Sequence, residues 1–292
     1  MKLRPPFALF LLLLLNIQLS YANFFQNLEI YQRKNSTSNL AYGSDALQKI
    51  DVYLPKLSAP KTENHQLAPI LLVVHGGAWS MGDKSRSGLI QHKANYWNQA
   101  GWVVISVNYR LVPNVTVQQQ TQDIADALSF VQKNASNWQA DADKIIIMGH
   151  SAGAHLVTLL STHPKWITNF PKPWKATIAL DSAAYDVEAI MSNQHAQLYN
   201  RAFGASVEHW RLVSPKTQLS HALPAFLAVC STVRPDQPCI QAQAFTEQAK
   251  TFGTITQLLP ISMTHIEINR NLGLNNDYTR QINQFMQQQL QH

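Results

Sequence analysis

Short, unbroken apolar runs alternate along the chain with longer segments whose apolar residues recur every three or four positions. Residues 145–148 form one such run, and its β-branched side chains are typical of a strand buried on both faces of a parallel sheet. In residues 118–134, Ile124, Leu128 and Val131 fall on one face of a helix. The alternation predicts an α/β fold, in which helices cover both faces of a mostly parallel sheet.

The same reasoning places the remaining elements. Residues 47–55 alternate apolar and polar side chains, which predicts an outer antiparallel strand. Residues 240–253, ended by Gly253, and the Gln-rich tail from Tyr278 are predicted to be helices. Further buried strands are predicted over residues 68–79, 101–110, 175–182, 225–232 and 254–259.

A long excursion over residues 183–223 interrupts the alternation between two predicted strands. A connection of this length usually carries its own helices or a lid over a site. Aromatic residues here, and one after an earlier strand, could line an acyl or aryl pocket, or could simply pack a lid helix onto the body. They are Trp79, Tyr199, Phe203 and Trp210.

The N-terminus has the pattern of a secretory signal. Lys2 and Arg4 precede an apolar run over residues 7–15, and a small-x-small triplet ends at Ala22. We expect residues 1–22 to be a signal peptide cleaved after Ala22, which would make the protein periplasmic or secreted. The apolar run is short for a membrane span, so we expect no stable span after cleavage.

Charge and cysteine content limit the remaining functions. The net charge is +6, but the basic residues are scattered and form no basic face, so the sequence gives little support for nucleic-acid binding. We find no motif with metal-ligand spacing and expect no metal. The two cysteines, Cys230 and Cys239, could form a disulfide in an exported protein, or Cys230 could be a small buried residue.

The segment GHSAG, residues 149–153, is the candidate for chemistry. It follows an apolar strand and opens a helical segment, which is the context of a nucleophile elbow. Ser151 would stand at the tip of this turn as the nucleophile. The expected oxyanion donors are the amide of Ala152 and the amides of Gly76 and Gly77 in the HGGAW loop.

A serine nucleophile needs a base and a group that orients the base. In an α/β-hydrolase fold the order along the chain is serine, acid, histidine. His265 follows the last predicted strand by a short loop, and we expect it to be the base. Asp236, in the loop after the penultimate strand, is the preferred acid, and Asp181, just past its own strand, is the alternative.

With these residues in place, a family resemblance becomes specific. The segments HGGAWSMGDK, SVNYRLVP and IIMGHSAGAHLVTLLST resemble the α/β-hydrolase superfamily, in the branch similar to hormone-sensitive lipase, arylformamidase and feruloyl-esterase-type enzymes. The resemblance implies an eight-stranded sheet, a single α/β-hydrolase catalytic domain over residues 23–292, and no cofactor. The chain departs from the hormone-sensitive-lipase pattern at Ala78, where that family has a third glycine, and around Asp236, where an Asp-Pro pair is replaced by Pro-Asp-Gln.

Three functions fit these features. The first is a serine hydrolase that cleaves carboxylic esters of small to medium acyl or aryl groups through an acyl-enzyme, with a small-molecule ester as its substrate. The second is an arylformamidase-like amidohydrolase that uses the same triad. The third is a non-catalytic binding protein on a hydrolase scaffold, which the filled triad positions disfavour.

Overall fold

The computed structural model describes residues 36–55, 67–86, 88–163, 166 and 173–291. The predicted signal peptide, residues 1–22, lies outside the described residues. No helix in the described part of the chain combines the length and the apolar character needed to cross a membrane.

The core of the fold is an eight-stranded sheet with the strand order β1-β2-β4-β3-β5-β6-β7-β8. β2 pairs antiparallel with β4, whereas the strands from β4 through β3 to β8 run parallel to their neighbours. The strands are β1 (Ser36–Ala41), β2 (Lys49–Tyr53), β3 (Ala68–Val74), β4 (Val103–Val107), β5 (Ala140–His150), β6 (Ala176–Leu180), β7 (Ala225–Ser231) and β8 (Thr256–Ile261).

Helices connect the strands and cover the sheet. A 3-10 turn, Ala135–Trp138, leads into β5. The α-helices are α1 (Ile90–Gln99), α2 (Val117–Asn134), α3 (Ala152–Thr162), α4 (Val187–Met191), α5 (Gln197–Phe203), α6 (Val207–Leu212), α7 (Pro215–Gln218), α8 (Pro238–Thr251), α9 (His265–Arg270) and α10 (Asp277–Leu290).

Alternation along the strands divides the core between the two faces of the sheet. In β3, Ile70 and Leu72 pack in one cluster with residues of α2 and α3. Leu71 and Val73 point to the opposite face, where they pack with residues of α1 and α10. Successive strand side chains point to opposite faces, so a strand covered on both sides must be apolar throughout, as the sequence pattern indicated.

The observed elements confirm the predicted α/β architecture and the antiparallel outer strand. Three elements, β1, α1 and α9, and the 3-10 turn before β5 were not predicted. The side chains of β1 are mostly exposed and polar, so β1 lacks the apolar pattern that identifies a strand. The excursion over residues 183–223 contains four short helices, α4 to α7, rather than one continuous lid helix.

The crossing of α3 over the sheet requires a residue without a side chain. A Cβ atom on Gly153 would lie 2.5 Å from the carbonyl oxygens of both Val74 and His75. A Cβ on Gly149 would lie 2.2 Å from the carbonyl oxygen of Gly153. The two outer glycines of GHSAG therefore let α3 approach β3 closely and place the intervening serine at the end of the sheet.

Candidate active site

Ser151 occupies a strained turn between β5 and α3. Its backbone angles are φ 57° and ψ −119°, a conformation that non-glycine residues rarely adopt. The amide of Ser151 donates to the carbonyl of Leu180, 2.9 Å away, at the end of the neighbouring strand β6. The strain and the backbone anchor have the geometry of the predicted nucleophile elbow.

Asp181 comes directly after β6 and is the carboxylate that contacts His265. His265 Nδ1 lies 2.6 Å from Asp181 Oδ2, and the amide of Ser231 donates to Asp181 Oδ1 at 2.8 Å. Burial alone would raise the pKa of the Asp181 carboxyl. The hydrogen bonds from His265, Ser231 and Arg234 outweigh burial and hold this pKa below its ordinary value, so Asp181 is ionised.

The structure does not bring the preferred acid, Asp236, into contact with the candidate base. Asp236 does not contact His265; both oxygens of its carboxylate bind the guanidinium of Arg234 instead. The Asp236 side chain is 47% exposed, whereas that of Asp181 is fully buried. Arg234 stands between Asp236 and the imidazole, so the alternative acid, Asp181, is the residue with the geometry of the orienting group.

A disulfide joins Cys230, in β7, to Cys239, at the start of α8. It closes the segment that carries Arg234 and Asp236. Cys230 itself is completely buried in the core. The bond therefore ties the loop after β7 to a rigid strand on one side and a helix on the other.

A second histidine, His150, packs against the candidate base. Its ring centroid lies 4.5 Å from that of His265, and its Nε2 lies 2.9 Å from the backbone carbonyl of His265. Burial, together with the nearby His265 ring, lowers the pKa of His150 to about 3. His150 is therefore neutral at ordinary pH and donates its Nε2 hydrogen to that carbonyl.

The HGGAW loop turns beside the nucleophile. A Cβ on Gly76 would lie 2.9 Å from Ser151 Cβ, so the Gly76 backbone is in close contact with the serine. Gly77, Ala78 and Trp79 all have positive φ angles. Three successive left-handed residues turn the loop tightly past Ser151, the geometry in which backbone amides can face a developing oxyanion.

Four side-chain and backbone contacts hold this loop in place. His75 stacks on Tyr109 with a centroid distance of 4.4 Å, and Tyr109 Oη donates to the carbonyl of His75. The carbonyl of Trp79 accepts hydrogen bonds from the Gln120 side chain and the Val112 amide. His75 thus braces the loop through its stacking on Tyr109.

The predicted aromatic pocket residues are only partly brought together. The ring of Trp79 lies 4.8 Å from that of Phe203 and 5.9 Å from that of Tyr199. Trp79 and Phe203 are 3% and 1% exposed, so they pack α5 onto the body, and Tyr199 keeps more of its surface open. Trp210 uses its indole N–H to bind the carbonyl of Gly204 within the excursion.

His155 links the loop and the excursion from inside α3. Its Nδ1 accepts a hydrogen bond from Trp79 Nε1 at 3.1 Å, and its Nε2 lies 2.8 Å from the carbonyl of Val213. Burial lowers the pKa of His155 to about 4, so the neutral ring joins the two partners.

Lys93, which sequence reasoning did not identify, fixes the helix that carries His265. Its ammonium is buried and contacts the carbonyls of Leu89 and Asn269 and the side chain of Asn269, at 2.7 to 2.9 Å. Burial lowers the pKa of Lys93 to about 7. The only sequence signal was a lysine on the apolar face of an unpredicted helix.

Among the described residues, no group of three or more potential metal ligands occurs.

Comparisons with known proteins agree with this architecture. A family model described as BD-FAE matches residues 50–248. The isoprenylcysteine alpha-carbonyl methylesterase ICME of Arabidopsis thaliana is 25% identical over 86% of this chain and 60% of its own length. The probable carboxylic ester hydrolase LipM of Mycobacterium tuberculosis is 26% identical over 76% of this chain and 54% of its own. The chain thus spans little more than half the length of these curated relatives.

Two solved esterase structures have similar folds. Esterase B from Lactobacillus rhamnosis superposes with a TM-score of 0.70 at 18% identity, covering 95% of this chain and 96% of its own. A truncated carbohydrate esterase from gut microbiota gives a TM-score of 0.71 at 19% identity, covering 88% and 96%. At these identities, the likeness shows that the fold is that of an α/β-hydrolase.

Removing the disulfide should destabilise the protein. The Cys230→Ala/Cys239→Ala double variant is expected to lose about 2 to 3 kcal/mol of unfolding free energy, because the short loop after β7 is no longer restrained in the unfolded chain. Urea unfolding with and without reductant measures this, and the double variant should be insensitive to reductant. Thiol titration of the unfolded, unreduced wild type should find no free thiol; two free thiols would contradict the bond.

Proposed function

Because the chain belongs to the BD-FAE family, we propose that it is a carboxylic ester hydrolase that works through an acyl-enzyme on Ser151. The observation that carries the proposal is the 2.6 Å contact between His265 and the buried carboxylate of Asp181, beside a strained serine elbow. A base held by an ionised acid next to a partly exposed serine is the arrangement that makes a serine hydroxyl nucleophilic.

The contact with Asp181 determines which nitrogen of His265 is free. An ionised carboxylate can only accept a hydrogen bond, so Nδ1 carries the proton and Nε2 keeps its lone pair. In the first step, Nε2 takes the hydroxyl proton of Ser151 while Oγ forms a bond to the ester carbonyl carbon. The imidazolium then protonates the leaving alcohol as the carbon–oxygen ester bond breaks. A water molecule, activated by the same nitrogen, then releases the acid.

The developing negative charge on the carbonyl oxygen needs N–H donors. Ala152 is the first residue of α3, so its amide belongs to the helix start, where N–H groups lack partners in the preceding turn. The amides of Gly76 and Gly77 are the other donors in the proposal, supported by the close approach of Gly76 to Ser151. These amides would stabilise the oxyanion in both halves of the reaction.

The packing around Trp79 favours small to medium acyl groups. Because Trp79 and Phe203 are almost fully buried against each other, they leave little free surface for a long chain. Half-buried Tyr199 is the member of this group that a substrate can reach. Short acyl or aryl esters are therefore the proposed substrate class.

Export completes the proposal. The N-terminal pattern over residues 1–22 is that of a secretory signal, and the Cys230–Cys239 disulfide suits an oxidising compartment. Edman sequencing of the protein recovered from the periplasm or medium should begin at Asn23. Recovery of the uncleaved chain from the cytoplasm would contradict export.

The nucleophile is tested with a series of p-nitrophenyl esters from acetate to palmitate. Wild-type turnover should be fastest for the shorter chains, and Ser151→Ala should lower kcat by roughly 10⁴-fold or more, because no other hydroxyl replaces the attacking atom. A folded protein that turns over amides but no ester would favour the amidohydrolase alternative. Equal rates in the wild type and in Ser151→Ala would overturn the proposed mechanism.

The acid is tested by a matched pair of isosteric variants. Asp181→Asn should lower kcat by roughly 10³- to 10⁴-fold, because an amide neither holds the reactive tautomer of His265 nor stabilises its charged form. Asp236→Asn should lower kcat by no more than about tenfold, because its carboxylate reaches the imidazole only through Arg234. The reverse order of the two effects would show that Asp236 is the acid.

A further inference from the structure

Arg234 contacts the proposed acid and the proposed base, and it binds the same oxygen of Asp181 that His265 binds. Its Nη1 is 2.7 Å from Asp181 Oδ2, the same atom that His265 Nδ1 contacts at 2.6 Å. Nη1 is also 3.1 Å from His265 Nδ1 itself. Because both nitrogens carry hydrogens directed to Asp181, this last contact is a cation placed at the edge of the imidazole rather than a hydrogen bond.

The remaining nitrogens of Arg234 hold it in this position. Nε donates to Asp236 Oδ1 at 2.9 Å, and Nη2 donates to Asp236 Oδ2. This two-pronged pairing fixes the plane of the guanidinium. The Arg234 side chain is only 18% exposed, and the Cys230–Cys239 disulfide closes the loop on which it sits. The cation is therefore built into the site and is not a surface side chain resting on it.

We propose that Arg234 is a positioning residue that limits the negative charge facing His265, so that the imidazole remains able to accept the serine proton at lower pH than Asp181 alone would allow. This inference rests on the proposed roles of Ser151, Asp181 and His265. A carboxylate without a countercharge stabilises the protonated, positively charged form of a neighbouring imidazole. A guanidinium on the same carboxylate oxygen offsets that attraction and repels the imidazolium directly.

Among the described residues, Arg234 is the cation whose side chain contacts the His265 imidazole. Asp181 faces His265 from the end of β6. Arg234 faces it from the loop after β7, and Asp236 lies on the far side of the Arg234 guanidinium. His150, at the end of β5, also packs against the ring, but its lowered pKa keeps it neutral.

Further ionisable groups lie around this cluster in the described part of the chain. Burial raises the pKa of Tyr185 and of Tyr199, so both are uncharged at ordinary pH. Arg270, at the end of α9, interacts with Glu267. On α9 itself, Glu267 is engaged by the backbone and hydroxyl of Thr264. Tyr278, whose buried hydroxyl donates to the carbonyl of Ile268, is uncharged at ordinary pH, because burial and Asp181 raise its pKa. Lys93 lies under α9 and is unchanged in every variant below, so its titration does not alter the differences between them.

The test is the pH profile of kcat/KM for a short p-nitrophenyl ester. The acidic limb of this profile reports the base of the free enzyme. Arg234→Gln should move the midpoint of that limb to higher pH by about one unit, because one positive charge in contact with the pair is lost. Arg234→Lys keeps the positive charge and should shift the midpoint of the limb by less than half the shift seen in Arg234→Gln. An Arg234→Gln limb that stays in place while the plateau falls would show a purely structural role and overturn the inference.

Two further variants test the direction of the shift in the acidic limb and whether the shift is a local effect. Asp236→Asn removes a negative charge from the same cluster and should shift the limb in the opposite direction, to lower pH, even if Arg234→Gln fails to fold. Arg211→Gln is the matched control, because the Arg211 guanidinium pairs with Glu188 through the same two-pronged contact in the excursion. Its limb should coincide with that of the wild type, and a shift equal to that of Arg234→Gln would remove the case for a local effect.

A measurement without turnover separates this inference from the proposed function. The Cε1–H resonance of His265, assigned by its loss in His265→Gln, can be titrated by NMR in the wild type and in Arg234→Gln. A higher midpoint in the variant supports the role of Arg234, even if no ester is hydrolysed and the proposed function fails. An unchanged midpoint overturns the role of Arg234, even if Ser151-dependent ester hydrolysis is found.

Discussion

A carboxylate removed from water is costly unless donors surround it, and the candidate site is organised around one such group, the side chain of Asp181. It has no exposed surface, and its partners come from two other strand ends. They are the amide of Ser231 at the end of β7, the side chain of Arg234 in the loop that follows, and the ring of His265 after β8. These donors keep the group ionised, and an ionised acid is what fixes the tautomer of the base.

Strand register brings these groups together. His150 of β5 pairs with Leu180 of β6, and Leu180 pairs with Val229 of β7, so the elbow, the acid and the Ser231 amide follow one another across neighbouring strand ends. In a parallel sheet these ends share one edge, where ligands bind. A one-residue slip of β6 would point the Asp181 side chain to the other face and leave the buried charge without its donors.

The position of His265, the proposed base, depends on the packing of the helix that carries it. α9 has only six residues, too few for a helix that is stable by itself. Its C-terminal carbonyls are bound by groups from other elements. Lys93 of α1 donates to Asn269, and Tyr278 of α10 donates to Ile268. His265, the first residue of α9, therefore holds its position because two long helices on the same face of the sheet anchor the other end of its helix.

Local sequence pattern is enough to nominate some of the candidate site residues, whereas choosing among others requires the tertiary contacts. Ser151 and His265 follow from a strand–turn–helix pattern and from chain order. The acid does not, because Asp181 and Asp236 both follow a strand, and only the fold shows that Arg234 binds the second. β1 was not predicted because its residues are mostly exposed and polar and carry no apolar pattern. Lys93 was not identified because a lysine normally indicates a face exposed to solvent, whereas this one is buried.

Several histidines near the edge of the sheet could in principle compete as bases, and their environments decide between them. His150 and His155 are buried, which lowers their pKa, and each uses its ring nitrogens to bind neighbouring groups. His75 is likewise held by burial and by its stacking on Tyr109. His265 is the one of these four that combines a carboxylate partner with a partly exposed ring, 32% of its side-chain surface. Because a base must both reach substrate and be held in one tautomer, this combination supports the proposal that His265, and none of the other three, is the base.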